Sequence, residues 1–207
     1  MLLSHRTSVN IRPEYSNIIG HMCYAASKLW NVCNYERRRY KELELEKYPD
    51  WYYQKKAHKG DLWYRQLPSQ TAQETCKQLD KAWKSFYVLK KTVGIKDPNP
   101  PRFKQDNIPI TYMQMGIRHE KDSDQLRLSL SKDLKSYMEE TYGIHEKFLY
   151  LENKIFRNMD CIKQLRIYPP EDGKCDLIVI YEVKEPEPIS LNGHYLSIDL
   201  GIHNLMT

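Results

Sequence analysis

No two of the five cysteines stand as a CxxC pair, and an odd count leaves one thiol over from any complete pairing. Cys23, Cys33, Cys76, Cys161 and Cys175 therefore argue against both a disulfide scaffold and a zinc ribbon within this chain. They predict reduced, mostly packed thiols in a cytoplasmic protein. Glycine is scarce, 8 residues in 207, and no glycine-rich phosphate loop is present. No apolar run approaches the roughly 20 residues that span a bilayer, and the opening MLLSHRTSVNIRPEY lacks the core of a signal peptide. A membrane is not among the expected partners. The seven histidines show no metal-ligand spacing and none is assigned to catalysis, nor does any cysteine stand beside a base that could activate it.

What remains is a chain able to build a core, with 41% hydrophobic and 29% charged residues, long enough for one large domain or two small ones. The formal net charge of +5 is unevenly spread. Residues 28–104 hold 18 basic and 9 acidic residues, a net +9, which leaves −4 for the remainder. A basic portion of this kind points to a polyanion, although a solvated helical surface also reads as basic.

Along the chain the hydrophobic period changes. Residues 4–11 read as a short strand. Ile18, Met22, Ala25, Leu29 and Cys33 then recur at helical spacing and predict a helix from Pro13 to about Tyr48. Residues 49–68, with Pro49, Gly60 and Pro68, read as loop with short helical turns. A second long helix is predicted by Ala72, Cys76, Leu79, Trp83 and Phe86, starting at a Thr71–Glu74 capping box and fading near Gly94. DPNPP (97–101) stops regular structure. Beyond it the period becomes two: a strand over 110–116, another through Leu126, Leu128 and Leu130, and a hairpin of 162–168 with 175–183 about an Asp-Gly turn. A short helix is predicted over 132–142, ending at Gly143. EPEP (185–188) reads as a linker to a last strand, 194–200. The fold class expected is α+β.

Residues 24–87 hold thirteen aromatics, all four tryptophans among them, interleaved with Lys and Arg. Flat rings stack on bases while cations neutralise phosphates, the pairing that single-stranded nucleic acid requires. Trp30 and Trp83 lie on apolar faces and are expected in the core. Tyr52, Tyr53, Trp63 and Tyr64 fall in loop-like sequence and are expected to be exposed. Arg37 and Arg38 head the other nucleic-acid candidates; a solvated helix face is the second reading for them. PPRFK (100–104) is a rigid, basic, aromatic turn in which Arg102, Phe103 and Lys104 could meet a phosphate and a base. In LSIDLGIHNLMT (196–207), Asp199 ends an alternating strand. Two readings stand for it, a turn-initiating residue and a hard oxygen ligand for magnesium.

LPSQTAQETCKQLDKAWKSFYVLKK (67–91), PNPPRFK (98–104), ITYMQ (110–114), VKEPEP (183–188) and LSIDLGIHNL (196–205) resemble, in order and spacing, the successive motifs of TnpB. These are the insertion-sequence OrfB proteins, called transposases and related to type V CRISPR effectors. The resemblance implies an RNA-guided DNA endonuclease active in transposition. It implies an oligonucleotide-binding-like β-barrel (the wedge) interrupted by a helical recognition domain, then a ribonuclease-H-like RuvC nuclease. The segments expected are 1–12 as first wedge strand, 13–96 helical recognition domain, 97–189 wedge barrel and 190–207 the start of an incomplete RuvC domain. Asp199 matches the first catalytic, metal-binding carboxylate. Gln73, Lys77 and Lys84, off the apolar stripe of the 71–91 helix, fall where the family reads the motif flanking its target. The chain departs from the family at His203-Asn204, where a Lys usually precedes the Asn.

The remaining nuclease carboxylates and the zinc cysteines of the family would lie past Thr207. One carboxylate cannot hold two Mg2+ ions, so this polypeptide is expected not to cut DNA by itself. It is expected to bind guide RNA and target DNA, either as the N-terminal part of a longer protein or as a natural truncation. Residues 190–207 are expected to be poorly ordered or held by the missing C-terminal portion or a second copy. A nuclease-dead repressor or transposon accessory protein is the alternative. An actin-like or sugar-kinase ATPase, whose first phosphate loop also reads like IDLG, is a more distant rival.

Overall fold

The computed structural model describes residues 1–94 and 96–184. The expected strand 194–200, Asp199 and the segment 190–207 lie outside the described residues. Helices and antiparallel strands combine in an α+β arrangement. Among the described residues no helix is long and apolar enough to cross a membrane.

Strand β1 (Leu2–Asn10) pairs along its whole length with β7 (Lys174–Glu182), from Leu2 opposite Glu182 to Asn10 opposite Lys174. β7 pairs in turn with β6 (Cys161–Ile167), and β6 with β2 (Ile110–Met113), giving the order β1-β7-β6-β2. The β6–β7 hairpin turns through Asp172 and Gly173, both at positive φ (48° and 72°), between the mutually hydrogen-bonded Glu171 and Lys174. Two successive positive φ angles make the type I′ turn whose twist matches that of the strands. A second sheet follows the order β3-β4-β5, from Ile117–His119, Gln125–Ser129 and Phe148–Glu152. Leu126, Leu128, Leu149 and Leu151 alternate inward with almost no exposure, as period-two patterning requires.

The strand expected over 110–116 stops at Met113 and gives way to a single 3-10 turn, Gln114–Gly116. Gly116 is needed here: a Cβ on it would stand 3.0 Å from the Tyr112 ring. That fully buried Tyr donates its hydroxyl to the Ser129 carbonyl at 2.9 Å, joining the two sheets.

The helices α1 (Pro13–Arg38), α2 (Trp51–Ala57), α3 (Leu62–Arg65) and α4 (Ser69–Lys91) all fall between β1 and β2. The apolar stripe of α1 carries the core, with Ile18, Ile19, Met22, Ala25, Leu29 and Cys33 buried. The helix ends ten residues before the expected Tyr48. Between Arg37 and Pro49 the sequence offers only Tyr40, Leu43, Leu45 and Tyr48 to bury, Leu43 stays 41% exposed, and helices draw most of their stability from a packed face. The chain turns back through Glu44 (φ 50°) so that Tyr48 lies edge-on to Trp83. Residues 51–65, expected as loop with short helical turns, are largely helical, forming α2, a 3-10 turn and α3; Asp50 caps α2 by accepting the Tyr53 N–H at 2.8 Å.

α4 matches its predicted stripe, but it begins at Ser69 with Pro68 as the preceding residue. The expected capping box fails because Thr71 and Glu74 are both already inside the helix and buried. α5 (Lys132–Tyr142) has the expected bounds. Ser131 caps it, accepting the Leu134 N–H, and Gly143 closes it in the left-handed region (φ 64°).

Candidate nucleic-acid interface

The expected interface residues divide into three groups. The first is built on the turn after DPNPP. Four side chains of α1 reach across more than sixty residues of sequence and hold the backbone of this turn. The Trp30 indole N–H donates to the Arg102 carbonyl at 3.1 Å. Asn31 makes a two-point clamp, its Nδ2 donating to the Lys104 carbonyl (2.8 Å) and its Oδ1 accepting the Lys104 N–H (2.7 Å). Asn34 and Arg38 both donate to the Pro101 carbonyl, at 2.9 and 2.7 Å. Asn34 also accepts the Trp83 indole N–H at 2.9 Å, which ties the same anchor to α4.

With the backbone held, the side chains of Arg102, Phe103 and Lys104 face outward. Phe103 is 44% exposed, with the Arg38 guanidinium 5.0 Å over its ring. The Lys104 ammonium sits 4.8 Å over the Trp30 ring. Beside it opens a groove of about 400 Å³ between Lys81 of α4, Lys104, and Gln164 and Arg166 of β6. Its volume lies toward the small end of the range for small-ligand sites, roughly 300–1,000 Å³. Arg166 Nε is buried without a hydrogen-bond partner among the described residues. Arg102, Lys104 and Lys81 make no ion pair among the described residues, and the single carboxylate lining the groove is Glu74, itself 3.8 Å from Lys77. The exposed Phe103 ring, cations for phosphate and a buried Arg166 donor without a partner among the described residues are thereby gathered in one region.

The second group lies about a quarter turn around α4, by the 100° per residue of an α-helix. Gln73, Lys77 and Lys84 share this face. Lys77 lies 4.8 Å over the Trp51 ring, and Tyr52, 55% exposed, is 3.8 Å from Trp51 between centroids. Lys55 stands over both rings, at 4.6 and 4.8 Å. Tyr53 is half-buried. Lys84 is tied to Asp80 at 2.8 Å, a hydrogen bond that raises its pKa.

Arg37 forms the third group and corrects an expectation. Expected on the nucleic-acid surface or on a solvated helix face, it is 2% exposed. Its guanidinium donates to Asp80 (2.9 Å) and to Gln54 (2.9 Å), and Gln54 donates onward to the Cys33 carbonyl and Glu36. Glu36 meets His58, which also meets Asp61. Burial alone would lower the His58 pKa, but the two carboxylates outweigh it and hold it up to about 9. This network fastens α1, α2 and α4 together; a buried, paired guanidinium cannot also meet solvent polyanions. Tyr64, expected to be exposed, is likewise buried.

Sequence reasoning missed Asn31, Asn34, Lys81 and Arg166. The two asparagines had a signal: Asn is a poor helix-interior residue, and a pair at i, i+3 on one face suggests that they hold another segment. Lys81 and Arg166 carry no such mark.

Among the described residues no group of three or more His, Cys, Asp or Glu could hold a metal ion, and Asp199 lies outside them. No protein-family model matches the chain, and no curated protein matches it.

Proposed function

We propose that this chain is the nucleic-acid-binding portion of a TnpB-like RNA-guided DNA endonuclease, taking guide RNA and target DNA as partners. The observation that carries the reading is the Arg102-Phe103-Lys104 turn, gripped by its backbone so that two cations and a ring face solvent beside the Lys81/Arg166 groove. A turn built to pack would bury Phe103 and leave its carbonyls to water.

The interruption of the sheet supports the same reading. β1 and β2 lie at opposite edges of one four-stranded sheet, with all of α1–α4 inserted between them. In this reading the two sheets are the halves of an oligonucleotide-binding-like wedge barrel, and α1–α4 are the recognition domain. Residues 190–207 open a RuvC nuclease in which Asp199 supplies one Mg2+ ligand. The Gln73/Lys77 face of α4 meets duplex beside the target, since Gln can read adenine edges and Lys can contact phosphate or guanine. The reduced thiols accord with a cytoplasmic protein.

Binding to structured RNA should fall steeply with salt, because each neutralised phosphate releases counterions. Changing Arg102 and Lys104 together to Ala should lower the log–log salt slope by about 1.4 to 1.8 if each meets one phosphate. Affinity insensitive to salt, or a double variant with the parent's slope, would overturn the reading.

A further inference from the structure

The three-stranded sheet carries an outward face that none of these groups uses. Its register sets Arg118 of β3 directly opposite Arg127 of β4, and Arg127 opposite Tyr150 of β5. Like charges opposed on neighbouring strands repel and weaken a sheet. Neither arginine makes an ion pair among the described residues, so no carboxylate stands between them at contact distance. The nearby carboxylates are largely engaged: Glu152 accepts from Gln125 at 2.8 Å, and Asp124 is held by Arg157 at 2.7 Å. Glu120 is the one acidic residue among those lining the cleft beside the pair.

That cleft, about 520 Å³, opens between Arg118, Arg127 and Tyr150. Phe148 stands beside it, with the Arg127 guanidinium 4.6 Å over its ring and the Tyr150 ring 6.4 Å away. Tyr150 also lines a second cleft of about 320 Å³ with Arg12 and Tyr15, where the Arg12 guanidinium lies 4.2 Å over the Tyr15 ring. Two clefts thus share one tyrosine, and each has a guanidinium stacked on a ring.

We propose that this face is a second binding track for a single nucleic-acid strand, with Arg118 and Arg127 bridging a backbone phosphate and a base stacking on Tyr150 or Phe148. A phosphate turns the opposed arginine pair from a repulsion into a two-sided clamp, because each guanidinium can donate two parallel hydrogen bonds to it. The rings supply the sequence-tolerant stacking that a strand's bases need. The track shares no residue with the Lys104 groove. It rests on the proposed nucleic-acid reading for the identity of the polyanion, and the test below separates the two.

The test is fluorescence anisotropy of the whole chain with labelled oligo-U and oligo-dT of about twenty nucleotides, over roughly 50 to 200 mM salt. Arg118→Gln with Arg127→Gln should lower the salt slope by about 0.7, for the one phosphate the pair bridges, and weaken binding at low salt about tenfold. Its melting temperature should equal or exceed the parent's, since the substitution removes a repulsion. Loss by the sheet variant with an unaffected Arg102→Ala/Lys104→Ala variant supports the track. Loss by the groove variant alone overturns the track and leaves the groove. A parent that binds neither oligonucleotide overturns the track, whereas the groove reading is decided by structured RNA. Photocrosslinking 4-thiouridine oligo-U to the unaltered chain needs no variant: adducts on Tyr150 or Phe148 support the track, and adducts confined to residues 100–109 overturn it. Equal binding of oligo-U and oligo-dT supports recognition through phosphate and ring faces. Loss by the sheet variant for only one of the two overturns it in favour of sugar-specific contacts.

Discussion

Replacing Asn31 by Ala isolates the contribution of preorganisation at the Arg102–Lys104 turn. The substitution deletes both hydrogen bonds to the Lys104 backbone, at 2.8 and 2.7 Å, and touches no charge. The Lys104 backbone is on the surface, where water can replace the lost partners, so each bond is worth about 1 kcal/mol rather than the larger penalty of a buried orphan. Ala is the better helix former by roughly 0.7 kcal/mol, which stabilises α1 equally whether or not the turn is held. About 2 kcal/mol of anchoring is therefore removed from the turn, while Trp30, Asn34 and Arg38 still hold Arg102 and Pro101. If nucleic acid requires the anchored turn, that loss appears as weaker binding, at most roughly thirtyfold at 1.4 kcal/mol per decade. The salt slope should stay at the parent's value, because the same cations still meet the same phosphates. Anisotropy with structured RNA across a salt series gives both quantities, and a thermal melt monitors the fold. Parental affinity would refute the role of anchoring. A loss accompanied by a changed slope would show that Asn31 acts through phosphate contacts instead.

Other expectations concern the fold that presents the turn. Arg37→Ala should destabilise by about 3 kcal/mol, measured by denaturant midpoint, since it strips a buried carboxylate of one partner; Lys84, which remains on Asp80, keeps the loss at the low end for broken buried pairs. His58 has its pKa raised in the folded state to about 9, so its contribution is complete below the unfolded value near 6.5 and is lost as pH rises through about 9. A chain melted at pH 7 and at pH 10 should differ by roughly 2 kcal/mol from this group, and His58→Gln should flatten that part of the profile. Asp80 is the opposite case: burial would raise its pKa, but Lys84 and Arg37 outweigh it and lower it, so its stabilisation is present above about pH 4 and disappears as pH falls further. Gly116→Ala should destabilise by about 1 to 3 kcal/mol, because the added carbon presses on a fully buried ring at the join of the two sheets.

Elements whose evidence lies within a few residues were legible in the sequence. The α4 stripe, the Ser131 and Gly143 ends of α5, the Asp172-Gly173 hairpin and the inward leucines of β4 each follow from spacings of two to four residues, and backbone geometry turns such spacings directly into structure. The basic, aromatic character of residues 28–104 and the rigid PPRFK turn were visible as composition. Which of those cations face outward was not. Arg37 and Arg38 are neighbours in an arginine run, yet one finds Asp80 43 residues away and is buried, while the other finds the Pro101 carbonyl 63 residues away and lies over Phe103. The end of α1 was hidden for the same reason, since it depends on whether anything exists to cover its next turn. Asn31 and Lys104 are 73 residues apart, and Arg118 and Arg127 oppose each other only because a strand register aligns them. Chain order carries no distance information at such separations. Closing those loops is decided by the sum of all the packing and pairing that the fold satisfies at once, so only the tertiary structure could say which charges were left for a partner.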